Sequence, residues 1–333
     1  MYIAWVHYYI PKVFTCLSFI VNPCFVYLIF TDKKAKLGNY RFLLAYFATF
    51  NVVYSIMDLL IPLAAHSYRY CYFGFVPDGP FSEVNDYSHL ALLARCSMVS
   101  CSYAVLVTHF VYRYMIIYRN ELITRHFIKF MMASFLLAFV YFAVWAVILH
   151  EFTPVTSHIH AYIHDSFTET FGEFPENFNA MAIIYNEALD SSVLRSRLGI
   201  CLMVTLPFLT IIFYVFIGRK ILSELGKSNL QMSLKTKKMQ RNLLEALVVQ
   251  TVIPIVVSFL PMSIFLLAPA VNIQFGRTMN FSIIIAFTLF PFFDPIAIVF
   301  CVPVFRNRVF PKIPWASATS ISGVGGIVVV IPS

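Results

Sequence analysis

Apolar residues run along this chain in long blocks rather than in alternation. Seven blocks stand at about residues 9–30, 42–65, 89–118, 127–149, 197–217, 243–267 and 281–302. Each is long enough to cross a hydrocarbon core about 30 Å thick as a helix. The polar connectors between them alternate in charge. Those at 31–41 (TDKKAKLGNYR), 119–126 (RNELITRH) and 218–242, with the stretch after 302 (FRNRVFPK), carry most of the Lys and Arg. The connectors at 66–88, 150–196 and 268–280 hold Asp78, Glu83, Asp86, Glu151, Asp165, Glu169, Glu173, Glu176, Glu187 and Asp190, with few basic residues. Basic connectors stay in the cytoplasm, so an odd number of spans predicts an outer N-terminus and an inner C-terminus. In lipid each backbone donor and acceptor must be satisfied within the chain, which helices achieve. The pattern therefore predicts an all-α membrane protein: a seven-transmembrane helix bundle over residues 1–312, with a short amphipathic helix at about 303–310 and a disordered cytoplasmic tail over 313–333.

Composition agrees with a membrane protein. Hydrophobic residues make up 60% and charged residues only 12%, against roughly 45–50% and roughly 25% in soluble domains. The net charge of +8 does not point to nucleic acid, because the basic residues sit at span ends and not on one face; the expected surroundings are membrane lipid. The start MYIAWVHYYIPKV lacks a basic region followed by a cleavage site, so the first span is expected to act as its own insertion signal. No internal repeat is evident. The long connector 150–196, with the turn-rich FGEFPENFN, is expected to lid the outer mouth. Of the cysteines, only Cys71 lies clearly in a connector, so no disulfide framework is implied. There is no glycine-rich phosphate loop, paired catalytic carboxylates or Ser/His/Asp arrangement, and neither enzymatic activity nor a cofactor is expected. His158, His160 and His164 stand together in an outer connector, but their spacing fits no zinc site and predicts solvated side chains. The NFS at Asn280 formally matches a glycosylation acceptor and lies close to span seven.

Polar residues inside the spans are costly and so carry information. Counting from the inner ends at a rise of 1.5 Å per residue puts Asn22, Asn51 and Asp294 all roughly 12–14 Å deep, so spans one, two and seven can share a polar cluster. With Pro291 and Pro295 weakening the helix beside it, Asp294 reads either as the hub of an activation network or as a static contact between helices. Nearer the outside, Asp58 and Arg95 both lie roughly 10 Å deep and are expected to pair, as a structural bridge or as part of an outward pocket. The cluster AAHSYRYCYFGF, with His66 and Arg69, is expected to stand above that pocket. Toward the cytoplasm Arg113 lies between Tyr112 and Tyr114, level with Glu245. An Arg113–Glu245 pair forming an inner switch competes with an arginine that snorkels to the interface.

Several segments together have a familiar form: YIPKVFTCLSFIVNP, KLGNYRFLLAYFATFNVVYSIMD, HSYRY, HFVYRY and PFFDPIAIVFCVPVFRNRV. Over about residues 8–312 the chain resembles the nematode serpentine chemoreceptors, and within the Str superfamily the class J group. The resemblance implies a seven-helix receptor of sensory neurons, in the plasma membrane and its cilia, that binds a small, often volatile, chemical ligand and activates a heterotrimeric G protein. For such a receptor the polar residues read above supply the candidates: Tyr112, Arg113, Tyr114 and Glu245 at the inner ends of spans three and six for coupling, Asn22, Asn51, Asp294 and Pro295 for activation, and Asp58, Arg95, His66 and Arg69 at the outer pocket for the ligand.

Departures from rhodopsin-like receptors accompany it. Tyr112 replaces the acid that would restrain Arg113, and Ile298 stands where the span-seven motif begun by Asp294 and Pro295 would have a tyrosine. Residues 150–196 contain no cysteine, so the usual bridge to the outer end of span three cannot form; Cys71 with Cys96 is the conceivable substitute. The rival reading is a ligand-gated channel or small-solute transporter, in which Asp58, Arg95 and Asp294 would mark a permeation path. A pore wants a polar stripe through the full depth, whereas this chain has two polar levels separated by apolar layers. A further reading is a receptor that has lost signalling and serves as a decoy or partner subunit.

Overall fold

A computed structural model describes residues 5–31, 37–227 and 233–311. Six helices are long and apolar enough to cross a membrane: α1 (Trp5–Thr31), α2 (Tyr40–Leu60), α3 (Asp86–Tyr118), α5 (Phe127–Phe152), α7 (Asp190–Gly226) and α10 (Arg277–Cys301). A short α4 (Asn120–Arg125) joins α3 to α5. The remaining crossing is composite. Helix α8 (Leu234–Pro254) runs into a π turn at Ile255–Phe259, then α9 (Leu260–Leu267) and a 3-10 turn at Ala268–Val271. Pro254 and Pro261 each lack an N–H, and the helix accommodates the loss by widening: the amide of Leu260 bonds Ile255 O, five residues back. The basic first half of α8, LKTKKMQRN, conceals this crossing from a search for uniformly apolar helices. The chain is thus a seven-helix, multi-pass membrane protein. At 37 residues α7 measures roughly 55 Å, so it projects well past a hydrocarbon core about 30 Å thick.

One end of the bundle carries a sheet that the hydrophobic pattern does not predict. Helix α2 stops at Leu60 because Pro62 disfavours helix at Ile61. Residues 61–65, expected in span two, instead lead into β1 (Ala64–Tyr68), which pairs antiparallel with β2 (Cys71–Phe75). The connector 150–196 forms α6 (Ser157–Phe171) and β3 (Ala180–Ile184), and β3 pairs with the other edge of β2. Thr156 caps the start of α6 by accepting from the Ile159 amide, and Gly172, at φ 72°, ends it.

Both faces of this sheet are apolar. Phe73 and Phe75 of β2 and Ala182 and Ile184 of β3 meet Ile159, Ile163, Phe167 and Phe171, the i, i+4 stripe of α6. Tyr72, Met181 and Ile183 face the other way, into a core shared with Leu92, Leu149 and Phe265 of the bundle. The connector is therefore a packed lid of three layers. A separate core joins the opposite half of the bundle, where Phe25, Leu44, Phe110, Tyr214 and Leu247 meet. At that far end α11 (Pro303–Val309) turns along the bundle with Phe305 fully buried against Phe25 and Val309 exposed. The tail expected over 313–333 lies outside the described residues.

Candidate functional site

Beneath the bundle-facing side of the sheet lies a cavity of about 110 Å³. Its ceiling is Tyr72, Met181 and Ile183, and its walls include Tyr103, Trp145, Met203, Phe259 and Met262. Arg95 is the one charged side chain among the described residues that line it. A smaller cavity of about 60 Å³ adjoins it, between α1, α2, α3 and α10, lined by Lys12, Asp58, Asp78 and Arg95 among others. Arg95 contributes to both walls.

Arg95 and Asp58 form a buried ion pair through Nη2 and Oδ1, as depth counting predicts. Arg95 is 2% exposed, and its guanidinium lies 4.5 Å above the Tyr54 ring. The pair is incompletely satisfied: Nε and Nη1 of Arg95, Oδ2 of Asp58 and the Tyr54 hydroxyl have no hydrogen-bond partner among the described residues. The other two residues expected at the pocket line neither cavity. Strand alternation turns His66 to the lid side, where its Nε2 lies 3.0 Å from Ser166 Oγ and its ring meets Phe167 and Phe171. Burial there pushes the imidazole down to about 4. Arg69 sits at the hairpin tip with φ 48° and donates to Glu187 Oε1 at 3.0 Å. Asn280 is buried and bonds Ser67 Oγ, so it is not open to glycosylation. Cys71 and Cys96 are both buried free thiols, not the bridge that was conceivable.

Below this level Tyr54 packs edge-on against Phe290, with ring centroids 4.5 Å apart. Under that apolar layer lies the second polar level. Asn51 Nδ2 donates to Asn22 Oδ1 at 3.2 Å, and Ser55 Oγ to Ser18 Oγ at 2.8 Å. Pro295 has no N–H to give the carbonyl four residues back, which is that of Pro291. Asn22 Nδ2 takes it, at 2.9 Å. The hub is therefore Asn22, and α10 joins the network through a proline-freed carbonyl instead of through Asp294. Asp294 is 1% exposed and its Oδ1 is without a partner among the described residues.

At the basic end Arg113, also 2% exposed, does not meet Glu245. Its Nη1 donates to Gln240 Oε1 at 2.7 Å, and its guanidinium lies 3.5 Å from the Tyr40 ring centre. Tyr40 in turn stacks on Tyr112 and shares a 3.1 Å hydrogen bond with His109. Glu245 follows Gln240 by five residues, which turns it roughly 140° around α8; it is exposed and bonded to Arg241. Tyr114 stacks on Tyr118. An open cavity of about 220 Å³ lies beside Arg113, Gln240 and Tyr112. Sequence reasoning sought a carboxylate for Arg113 and so passed over Gln240, five residues before the Glu245 that it named. It also passed over Tyr72 and Met181, whose strands were read as connectors, and Trp145, whose indole is the bulkiest side chain on the cavity wall.

Comparison with known proteins places this geometry. The family model described as serpentine type 7TM GPCR chemoreceptor Srj matches residues 1–309. Among curated proteins, the chain is 37% identical over 305 residues to serpentine receptor class J-38 of Caenorhabditis elegans, covering 92% of each chain. It is 23% identical to serpentine receptor class r-10 of the same species, over 88% of this chain and 87% of that one. It is 25% identical to G-protein coupled receptor str-217, also of C. elegans, over 90% and 88%. A lidded seven-helix bundle matched along nearly its whole length by that model, and by a class J relative, belongs to the Srj family of serpentine seven-transmembrane chemoreceptors.

Proposed function

We infer that this chain is a plasma-membrane chemosensory receptor, of sensory cilia, that takes a small and fairly apolar molecule in the cavity under the sheet and activates a heterotrimeric G protein from the opposite end. The observation that carries the reading is the cavity itself: an aromatic and methionine-lined space beneath the sheet with a single charged group among the described residues of its wall, the form expected of a small-molecule site. The charge pattern of the connectors supports an orientation with the sheet outside and the Arg113 end in the cytoplasm. There the projecting ends of α7 and α8 and the cavity beside Arg113 offer a docking face, and α11 lies where its Arg306 and Arg308 meet the anionic leaflet. Asn22, Asn51 and the paired prolines of α10 stand between the two ends and couple them.

Calcium responses to a panel of volatile and small soluble compounds, in cells expressing the chain with and without a G-protein blocker, test this. A response that disappears under the blocker is expected. One that persists would make the chain a channel, with Asp58, Arg95 and Asp294 along its path.

A further inference from the structure

The cavity under the sheet is sealed above and thinly covered on one side. Its ceiling residues Tyr72, Met181 and Ile183 are buried, and the sheet that carries them is packed on both faces. Where α7 and α9 border the cavity, Val204, Phe259, Met262, Ser263 and Leu266 are all half-buried. Nearby Leu202, Leu260 and Ile264 are exposed at positions inside spans five and six, so they face hydrocarbon. The backbone of α7 packs closely against α3 and that of α9 against α10, but the two scarcely approach each other. At the top of the seam between them the Tyr185 hydroxyl donates to Leu266 O at 2.7 Å. We propose that the ligand is an uncharged molecule that dissolves in the bilayer and enters the cavity sideways, through the seam between α7 and α9 beneath the Tyr185 bond, and not through the sheet.

The other sides are held more firmly. Val99 and Trp145 are half-buried as well, but Ser100 Oγ donates to Tyr141 O at 3.0 Å and ties α3 to α5 there. A Cβ on Gly199 would collide with Phe152, so α5 and α7 touch at their outer ends. The adjoining smaller cavity is lined by Lys12 and Asp78, which pair at 3.4 Å, and Arg95, held by Asp58, stands in the wall common to both cavities. An apolar molecule passing that way would have to disturb paired charges. The five seam residues carry no charge, and Ser263 is the one polar side chain among them. Helix α9 is also suited to move: its eight residues lie between a π turn and a 3-10 turn, and Pro254 and Pro261 each lack the N–H of a regular helix bond. A charged molecule would first have to leave water for hydrocarbon, which confines the ligand to uncharged compounds. This inference deepens the receptor reading above and rests on it for what the molecule signals, though not for how it enters.

The test reads entry without a G protein. Full-length chain in lipid nanodiscs is incubated with pentyl diazirine for increasing times and photolysed, and the adducts are mapped by mass spectrometry. Adducts on Tyr72, Tyr103 and Met203 report the cavity; those on Leu136 and Phe139, exposed on α5, report the bilayer. Val204→Phe narrows the seam and is expected to slow cavity labelling at least about ten-fold relative to the bilayer positions, with the same final extent. Should it lower the final extent instead, by filling the cavity, Val204→Ala decides: it is expected to label the cavity faster than the parent, and no gain overturns the proposal. Glu187 accepts from Arg69 at the hairpin tip and from Tyr162 of α6, so Glu187→Gln loosens the lid and is expected to leave the rate within about two-fold of the parent. Faster cavity labelling in Glu187→Gln, equal rates in the parent and both Val204 variants, or no cavity adduct in the parent overturns the route. Entry through the seam without any G-protein response sinks the receptor reading alone; a G-protein response with entry indifferent to the seam sinks the route alone.

Discussion

Helix α3 carries two buried arginines, about five turns or roughly 27 Å apart, and the molecule treats them differently. Arg95 is matched with the carboxylate of Asp58, so the charge is cancelled where it lies. Arg113 meets no carboxylate among the described residues; a neutral amide, Gln240, and the face of Tyr40 hold it. A buried ion pair is hard to open, because either partner alone is left as an uncompensated charge. An arginine held by neutral groups keeps its charge available to whatever docks beside it. We propose that the same helix has a fixed end and a releasable end. The fixed end lies beneath a sheet packed on both faces, and the releasable end beside an open cavity.

The largest effect should come from breaking the fixed end. Arg95→Leu or Asp58→Leu alone is expected to destabilise by about 3–5 kcal/mol, seen as loss of surface delivery and a large fall in melting temperature. The double change to Leu should recover most of that loss, and the swap Asp58→Arg/Arg95→Asp part of it. Single and double variants that melt alike would show that the two charges do not act as a pair.

Between the two arginines, Asn22→Leu should cost about 2–6 kcal/mol. It strands the Pro291 carbonyl and the Asn51 amide in the core, each an unmet group worth about 1–3 kcal/mol. If Asn22 couples the ends, agonist response should fall further than surface delivery does. Equal losses would leave Asn22 as a packing contact only.

At the releasable end the instructive change makes Arg113 resemble Arg95. Gln240→Glu supplies the missing carboxylate, and the gain in closure is expected to be about 1–2 kcal/mol, the difference between a neutral and a charge-assisted hydrogen bond to arginine. Melting temperature should rise while agonist potency falls. Gln240→Leu should do the reverse and raise basal signalling. Unchanged signalling in both variants would remove Arg113 from the switch.

These two sites were not equally legible in the sequence. Asp58 with Arg95, and Asn22 with Asn51, follow from depth counting because each span offers few polar residues and opposite partners leave little choice. Arg113 defeats the same arithmetic. Several polar residues crowd the start of α8, and helix phase, not depth, decides that Gln240 and not Glu245 faces inward. The sheet was hidden for another reason. A strand buried on both faces shows no polar alternation, so CYFGF and AMAII read as connector despite their composition. His66 was misplaced with them, because which face a strand residue takes follows from register, and register was invisible until the strands were known. The composite sixth crossing was legible as apolar length, while its π turn depends on how Pro254 and Pro261 share one stretch of helix.

A third arginine supplies the control for both. Arg69 is ion-paired like Arg95, at 3.0 Å from Glu187, yet it is exposed at the hairpin tip. Water screens such a pair, so Glu187→Gln should cost less than about 1 kcal/mol and should matter still less at high salt. Arg69→Gly sharpens the contrast, since φ 48° suits glycine and relief of about 1 kcal/mol of backbone strain offsets the lost pair. Melting temperature is expected to stay within a few degrees of the parent in both variants. If Glu187→Gln instead destabilised as strongly as Asp58→Leu, pairing alone would explain the fixed end, and burial, on which the contrast between Arg95 and Arg113 depends, would not.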